Sequence, residues 1–435
     1  MKLNPGQTAA VEAVVTGFLE KNMKGATVIG EGGTGKTTCV MTMADRLKHA
    51  GLKILFTAPT NKAVKQLEKS AKAYGLNLND VVFQTLHSAL GLSLMPSEEN
   101  KYAARMGKGV VHLFDVVVVD EASMLSSRIL FDYLLPECEK EDVKILFMGD
   151  DMQLPPVKEK TSRAFEIFEN FRLTKVERQA SDSEILTVNG LLRTAIAAGK
   201  PFQSPSIVGN GISVIRAVDF LQSVVDSFDA HTDLDEQRVL AWRNRRVDEI
   251  NSAIRSKIFG GGAERFEIGE RVVTGAPIGD GEVVLLSTDE ECLVHDVRLG
   301  ELEDEDSGET FKVYTLVLTP LHADVKQVFA HVLHESEEER YWERLKYLAD
   351  RAKKDSRDSR KYWARFHKFK ELFDTLRYCY CITVHRSQGS TYKRVFVDVK
   401  DILANPIRKE RQSLLYVGYS RPSEELIINK EKYVA

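Results

Sequence analysis

The sequence predicts an α/β protein with two helix-covered parallel sheets and a small β-barrel inserted into the second. Three observations predict it. Apolar, β-branched runs alternate with helical patterns as far as Asp151. A second such alternation starts near Gly211 and resumes after Tyr378. Between them, from about Gly260, the chain turns into short alternating strands broken by glycine-rich turns. Continuous apolar runs suit strands buried on both faces of a parallel sheet, whereas alternation suits an antiparallel sheet with one wet face.

The first set of strands reads ATVIG from Ala26, KILFTA from Lys53, DVVVVDE from Asp115 and KILFMGD from Lys144. Helical patterns run from Thr37 to His49 and from Asn61 to Tyr74. The second set reads GISVIR, RVLAW, YCYCITV, RVFVDV and ELIIN. Inside it lie RVVTG, GEVVLL and VYTLVL, the strands of the expected barrel. The acidic stretch Glu301 to Glu309 reads as a solvated hairpin loop. Tyr341, Leu345 and Leu348, then Trp363, Phe366, Phe369 and Phe373, recur at helical spacing and predict two amphipathic helices with ring-filled inner faces. The window Arg351 to Lys370 carries nine Lys/Arg against two Asp, so the outer face is free to guide DNA or a partner.

A chain of 435 residues exceeds one compact domain, and two to four are expected at ~100–200 residues each. Hydrophobic and charged shares of 43% and 29% exclude a disordered or fibrous chain. With 60 basic against 64 acidic residues there is no uniformly basic coat, so a nucleic-acid site has to be a local channel. Five scattered cysteines argue for a reducing compartment rather than a disulfide framework. The opening MKLNPGQTAA lacks an apolar core, and no run approaches a membrane span, so a cytoplasmic protein without membrane contact is expected.

GEGGTGKTT from Gly30 fits GxxxxGK(S/T). Glycines let backbone N–H groups turn inward around phosphates, Lys36 reaches the β- and γ-phosphates, and the Thr37 hydroxyl binds Mg²⁺. The pattern is short, but a strand before it and a helix after it supply the required context. DVVVVDEAS then sets Asp120 and Glu121 at the C-terminal edge of a buried strand, where ligands of open α/β sheets bind. Asp120 suits the Mg²⁺ shell and Glu121 the base that orients or deprotonates water. KILFMGDDMQLPPV ends a further strand with Asp150, Asp151 and Gln153, whose amide can sense the γ-phosphate. Together these segments make a nucleoside triphosphatase core with a place for Mg²⁺; the use of ATP is what the resemblance below implies.

Around that core the motifs resemble superfamily 1 helicases, specifically the 1B group. Gln7 in LNPGQTAAV resembles the glutamine that reads adenine; Gly32, Gly33, Thr34, Gly35, Lys36, Thr37 and Thr38 form the nucleotide loop. APTNKAV from Ala58 resembles motif Ia and TLHS from Thr85 the DNA-contacting segment after it. GDDMQLPPV resembles motif III, VERQ with Arg178 motif IV, TVHRSQGST with Gly389 motif V, and LLYVGYSR with Arg421 motif VI. Two positions depart from the family pattern: Pro422 follows Arg421, and Arg386 stands where lysine is common.

The resemblance implies two RecA-like P-loop domains, 1–175 and 176–260 with 376–435. A β-hairpin insertion at 88–109 is the expected duplex-splitting pin in the first, and an SH3-like β-barrel insertion with a helical extension, 261–375, lies in the second. Catalysis then falls to Lys36, Glu121, Gln153 and the arginine fingers Arg178 and Arg421. Single-stranded DNA is expected on Thr60, Asn61, Lys62, His87, His385, Arg386 and Thr391, with Tyr102, Leu94 or Met95 at the pin. Trp242-Arg243-Asn244 falls in a loop of the second domain near that path.

The function this implies is an ATP-dependent 5′→3′ DNA helicase in replication, recombination or repair, acting on single-stranded DNA and a duplex fork. It works as a monomer, with a single-strand-binding or recombination protein as a possible partner. Two other readings stay open: a translocase that mainly strips proteins from DNA, and an ATP-switched module that recruits replication proteins.

Overall fold

The strands GATVIG, ILFTA and VVVV are buried along their whole lengths in the computed structural model. The structure describes residues 3–96, 101–105, 107–156, 159–175, 184–202, 209–279, 284–321, 326–354 and 358–430. Met1–Leu92, Arg105–Ile258 and Tyr380–Ala435 form one compact unit; Ser93–Ala104 and Phe259–Cys379 form another.

The chain first lays down β1 (Gly25–Gly30), β2 (Ile54–Ala58), β3 (Val81–Thr85), the hairpin strands β4 (Leu92–Pro96) and β5 (Lys101–Arg105), which fall almost wholly in the other unit, then β6 (Val116–Val119), β7 (Lys144–Gly149) and β8 (Glu169–Leu173). Apart from the hairpin these form one sheet, ordered β3-β2-β6-β7-β1-β8, with every neighbouring pair parallel. Full burial of the central strands requires helices on both faces. The helices Pro5–Glu20, Lys36–His49 and Asn61–Tyr74 supply Val14, Phe18, Val40, Met43 and Leu67 to a core with Val28, Phe56 and Val118. Because the strands are parallel, the residues after β1, β2, β3, β6 and β7 all emerge at one edge, and the motif residues lie there. The hairpin leaves through a narrow neck: a Cβ on Gly91 would meet Gly107 O at 2.5 Å, and one on Gly109 would meet Ala89 O at 2.5 Å.

The second module begins with the helix Glu184–Ala197, followed by β9 (Ile212–Arg216) and β10 (Gln237–Ala241). The chain then departs for β11 (Arg271–Thr274), β12 (Ile278–Gly279), β13 (Val284–Leu286), β14 (Glu291–Asp304), β15 (Glu309–Pro320), β16 (Val328–Leu333), two helices (Glu338–Lys354 and Ser359–Glu371) and β17 (Leu376–Tyr378). It returns as β18 (Cys381–Thr383), β19 (Tyr392–Val397) and β20 (Pro422–Lys430), closing an all-parallel sheet ordered β18-β10-β19-β20-β9. YCYCITV is therefore two strands of different sheets. Tyr378 pairs with Val272, whereas Cys381 pairs with Val239 and its N–H donates to Asn251 Oδ1 at 2.7 Å.

Where the barrel is expected, the described residues form an antiparallel sheet ordered β16-β15-β14-β11-β17, beside a separate β12–β13 hairpin. Its outer strands also approach each other: the Asp374 N–H, two residues before β17, donates to His331 O of β16 at 2.7 Å. β14 and β15 run for 14 and 12 residues, whereas β11 and β17 have four and three, so the long hairpin overhangs its neighbours. The overhanging half is covered by the two helices, whose Leu345, Leu348, Phe369 and Phe373 pack on Phe311 and Val313. The rings at helical spacing thus build a core, as the sequence predicts. The acidic tip is not simply solvated. Asp304 is buried and accepts from Arg344 Nη2 at 3.0 Å, and Glu305 pairs with Lys368 at 2.9 Å, so part of the basic helical face neutralises the acidic run. Phe311 lies at the centre of this second core, with ring centroids 5.3 Å from Phe369 and 5.6 Å from Phe373. Phe311→Ala is expected to cost ~3–5 kcal/mol of stability, read by chemical denaturation.

All five cysteines are buried, and no described helix is long and apolar enough to cross a membrane.

Candidate active site

The loop after β1 turns on glycines with positive φ, Gly33 at 85° and Gly35 at 78°. A Cβ on Gly30 would meet Thr34 Oγ1 at 2.5 Å, and one on Gly35 would run into the Gln7 amide, so the loop closes only without those side chains. Gly32 has open space where a Cβ would stand. Thr34 is buried and its hydroxyl donates to Glu31 O at 2.8 Å. Lys36, Thr37 and Thr38 form the first turn of the following helix, and an N-terminus aimed out of a glycine loop attracts phosphate. The Lys36 ammonium donates to Gly30 O at 2.7 Å and Glu31 O at 2.9 Å.

Gln7 serves two partners. Its Oε1 accepts from Asn4 N at 2.9 Å, completing a capping box on the first helix, and its Nε2 donates to Thr34 O at 3.0 Å. It braces the phosphate loop against that helix. A pocket lined by Asn4, Pro5, Gly6, Arg172, Thr174 and Lys175 opens beside this cap.

Asp120 and Glu121 follow β6. The Glu121 N–H donates to Asp120 Oδ1 at 2.7 Å, and Glu121 itself sits at φ 50°, ψ 44°, a left-handed conformation that a glutamate adopts at a cost. Burial pushes both carboxyls up, and the neighbouring Glu121 charge raises Asp120 further. Arg421 and Lys36 pull Glu121 the other way. Burial likewise draws Lys36 down, opposed by Asp150, Glu121 and Asp120. The group is a buried, nearly balanced set of charges, which is where pKa values shift most.

The second module reaches this set at several points. A Cβ on Gly389, at φ 76°, would stand 3.5 Å from Glu121 Oε1, so motif V lies against the candidate base. Arg421 is buried; it donates to Val417 O and Ser390 O at 3.0 Å, Ser387 O at 3.4 Å and Ser420 Oγ at 2.7 Å, which ties motif VI to motif V. Pro422 is accommodated as the first residue of β20, where Arg421 O accepts from Tyr392 N at 3.0 Å and no proline N–H is needed. Gln153 Oε1 accepts from Gln388 Nε2 at 3.4 Å. Arg178 lies outside the described residues.

Two residues that sequence reasoning missed grip motif III from the second module. Arg193, on the helix Glu184–Ala197, donates to Asp150 Oδ1 at 2.9 Å, Asp151 Oδ1 at 3.2 Å and Tyr416 OH at 3.1 Å. Tyr416 in turn donates to Asp150 Oδ2 at 2.5 Å. Burial opposes the Arg193 charge, but Asp150 and Tyr416 outweigh it and raise its pKa. One signal was readable: Asn189 and Arg193 stand four apart on one face of a helix rich in apolar residues, and Asn189 also faces motif VI, donating to Tyr419 O at 3.1 Å.

The DNA candidates line the same edge of the sheets. Thr60 caps the helix Asn61–Tyr74, accepting from Ala63 N at 3.3 Å. Ala58 is in register with Thr85, which sets Thr60 to Lys62 beside His87. The Lys62 ammonium lies 5.6 Å from the Tyr392 ring centroid, next to exposed Thr391, so the two modules meet along this line. Burial lowers the pKa of His87 and of His385, with Glu410 opposing at His385, so both rings are polar partners rather than cations. The Arg386 N–H donates to Thr383 Oγ1 at 3.4 Å. Tyr102 lies on β5, with its side chain outside the described residues, as do those of Leu94 and Met95 on β4. Trp242 and Arg243 donate their N–H groups to Asp401 Oδ2, directly after β10 and beside motif V.

The AAA domain family matches residues 2–202, and the UvrD-like helicase C-terminal domain family matches residues 378–428. The chain is 27% identical to the ATP-dependent DNA helicase dda of Enterobacteria phage T4, over 96% of this chain and 97% of that one. It is 26% identical to the uncharacterized protein R530 of Acanthamoeba polyphaga mimivirus, over 92% and 94%. Among solved structures, Pif1 from Bacteroides bound to single-stranded DNA superposes with a TM-score of 0.52 at 17% identity, covering 100% of this chain and 93% of that one. Phosphate loop, acid pair and motif III glutamine on one sheet, faced by motifs V and VI on a second parallel sheet, agree with these matches: the chain is similar over nearly its whole length to helicases of the superfamily 1B kind, Dda among them.

Proposed function

We propose that the chain is an ATP-dependent 5′→3′ DNA helicase and single-stranded DNA translocase. One observation carries the reading. The segment 383–391 passes so close to the candidate base that a Cβ on Gly389 would stand 3.5 Å from Glu121 Oε1, and it also bears the DNA candidates His385, Arg386 and Thr391. A displacement of a few ångströms at the scissile phosphate is therefore felt by DNA through one short, stiff piece of backbone. Arg421, bound to two carbonyls of that segment, adds the second module's charge to the coupling.

In this mechanism Lys36 and the loop N–H groups hold the β- and γ-phosphates, and Glu121 orients and deprotonates the attacking water. Gln153 senses the γ-phosphate, and Arg178 and Arg421 complete the charge around it. Thr37 and Asp120 would hold Mg²⁺; hydroxyl and carboxylate oxygens suit a hard cation, and the upward push on Asp120 marks an acid in need of a counter-charge. When bound, the ion neutralises charge on the phosphates. The pocket beside the Asn4–Gln7 cap is the place for the base. Hydroxyls, neutral imidazoles and cations at strand ends grip a sugar-phosphate backbone without reading sequence. The hairpin β4–β5 is the pin offered to the duplex junction, with Tyr102 on its second strand.

The test is unwinding of two matched duplexes, one with a 5′ single-stranded tail and one with a 3′ tail. Opening of the 5′-tailed duplex alone is expected. Opening of the 3′-tailed duplex would overturn the polarity, and DNA-stimulated ATP hydrolysis with neither opened would favour the protein-stripping translocase.

A further inference from the structure

Asp150 is almost fully buried at the end of β7 in the first module, yet both of its carboxylate oxygens are bound by the second: Oδ1 by Arg193 and Oδ2 by the Tyr416 hydroxyl. Arg193 also bonds Tyr416, so the three groups close a ring of hydrogen bonds across the cleft. The same carboxylate shapes its own loop. Asp150 Oδ1 accepts from Met152 N at 3.1 Å and Asp150 O accepts from Gln153 N at 3.2 Å, so the backbone that aims the Gln153 amide hangs on Asp150. On the other side, Tyr416 lies on the helix Arg408–Tyr419, which ends two residues before Arg421. One buried ring therefore fixes both the γ-phosphate sensor and the arginine.

We propose that Arg193 and Tyr416 are positioning residues for ATP hydrolysis: by gripping Asp150 from the second module they set Gln153 and Arg421 in register when the cleft is closed. Neither needs to touch nucleotide. Arg193 is fitted to the task because its planar fork spans Asp150 and Asp151 at once, whereas an ammonium would satisfy only one of them. The buried setting makes each bond costly to lose, since the partner carboxylate would stay behind unpaired. The inference rests on the helicase reading above and deepens it.

The experiment is steady-state ATP hydrolysis, with and without a single-stranded oligonucleotide, for the full chain and for Tyr416→Phe, Arg193→Gln, Arg193→Lys and the Tyr416→Phe/Arg193→Gln pair. Melting temperatures are measured alongside. Tyr416→Phe and Arg193→Gln are each expected to lower DNA-stimulated kcat about tenfold, with the KM for ATP changed less than about twofold, the pattern of an interaction that matters in the transition state. Arg193→Lys should recover part of the loss. The double variant should fall no further than the worse single one, because both act through Asp150. Unchanged kcat, a rise confined to KM, additive losses, or losses that vanish on assaying well below each variant's melting temperature would overturn the proposal. Absence of DNA-stimulated hydrolysis in the unsubstituted chain would instead overturn the helicase reading itself.

Discussion

Glu121→Gln is expected to lower ATP turnover by ~10²–10⁴-fold, the range for removing a positioned general base, while leaving ATP binding nearly intact. The substitution keeps the shape of the side chain and the left-handed backbone at this position, so the β6 edge should fold as before. What changes is charge. In the native protein burial raises the Glu121 carboxyl and Arg421 and Lys36 lower it, leaving a base tuned by cations from two modules. A glutamine cannot take a proton from water whatever surrounds it. It also relieves Asp120 of the neighbouring charge that raises it, so Asp120 should ionise more readily and the Mg²⁺ position should be no weaker. Equilibrium binding of a fluorescent ATP analogue, beside steady-state hydrolysis with single-stranded DNA, separates the two effects. Turnover within tenfold of the native rate would remove Glu121 from the base role.

Much of this site was legible because the chemistry is local in sequence. Lys36 and Thr37 adjoin glycines that only a phosphate loop requires, and Asp120 and Glu121 close a run of four valines that can only be a buried strand. What stayed hidden depends on chain partners far apart. Nothing near Arg193 announces that it meets Asp150, 43 residues away, or Tyr416, 223 away. The opposite charges of Glu305 and Lys368 were read as two independent runs, a solvated loop and a basic face, because periodicity cannot tell that β14 and β15 carry the loop to the helices. The barrel expectation meets a related limit. Alternating strands announce an antiparallel sheet, but whether its edges pair depends on strand lengths and on what covers the overhang. YCYCITV shows the limit of pattern most directly: seven unbroken strand-like residues serve two sheets, and only the Asn251 side chain marks where the second begins.

Lys36→Ala is expected to abolish unwinding of the tailed duplex and to lower ATP hydrolysis by at least ~10²–10³-fold, the scale for losing one preorganised donor at developing charge, and unlike Glu121→Gln it should also weaken ATP binding. The contrast follows from what each residue faces. Glu121 is an acid that must act once phosphate is in place, whereas Lys36 is the cation held at the loop by Gly30 O and Glu31 O. Removing it takes away a direct phosphate partner. It also leaves Asp120, Glu121 and Asp150 without a counter-charge they share, so a trianionic phosphate would approach a more negative site. Folding should survive, because truncation at the first turn of the Lys36–His49 helix leaves Val40, Met43 and Leu47 in the core untouched. Tight ATP binding by Lys36→Ala, equal to that of Glu121→Gln, would mean that the loop backbone alone carries the phosphates. The positive end of that helix and its glycine-turned N–H groups would then be the anion site, with Lys36 acting only in the transition state.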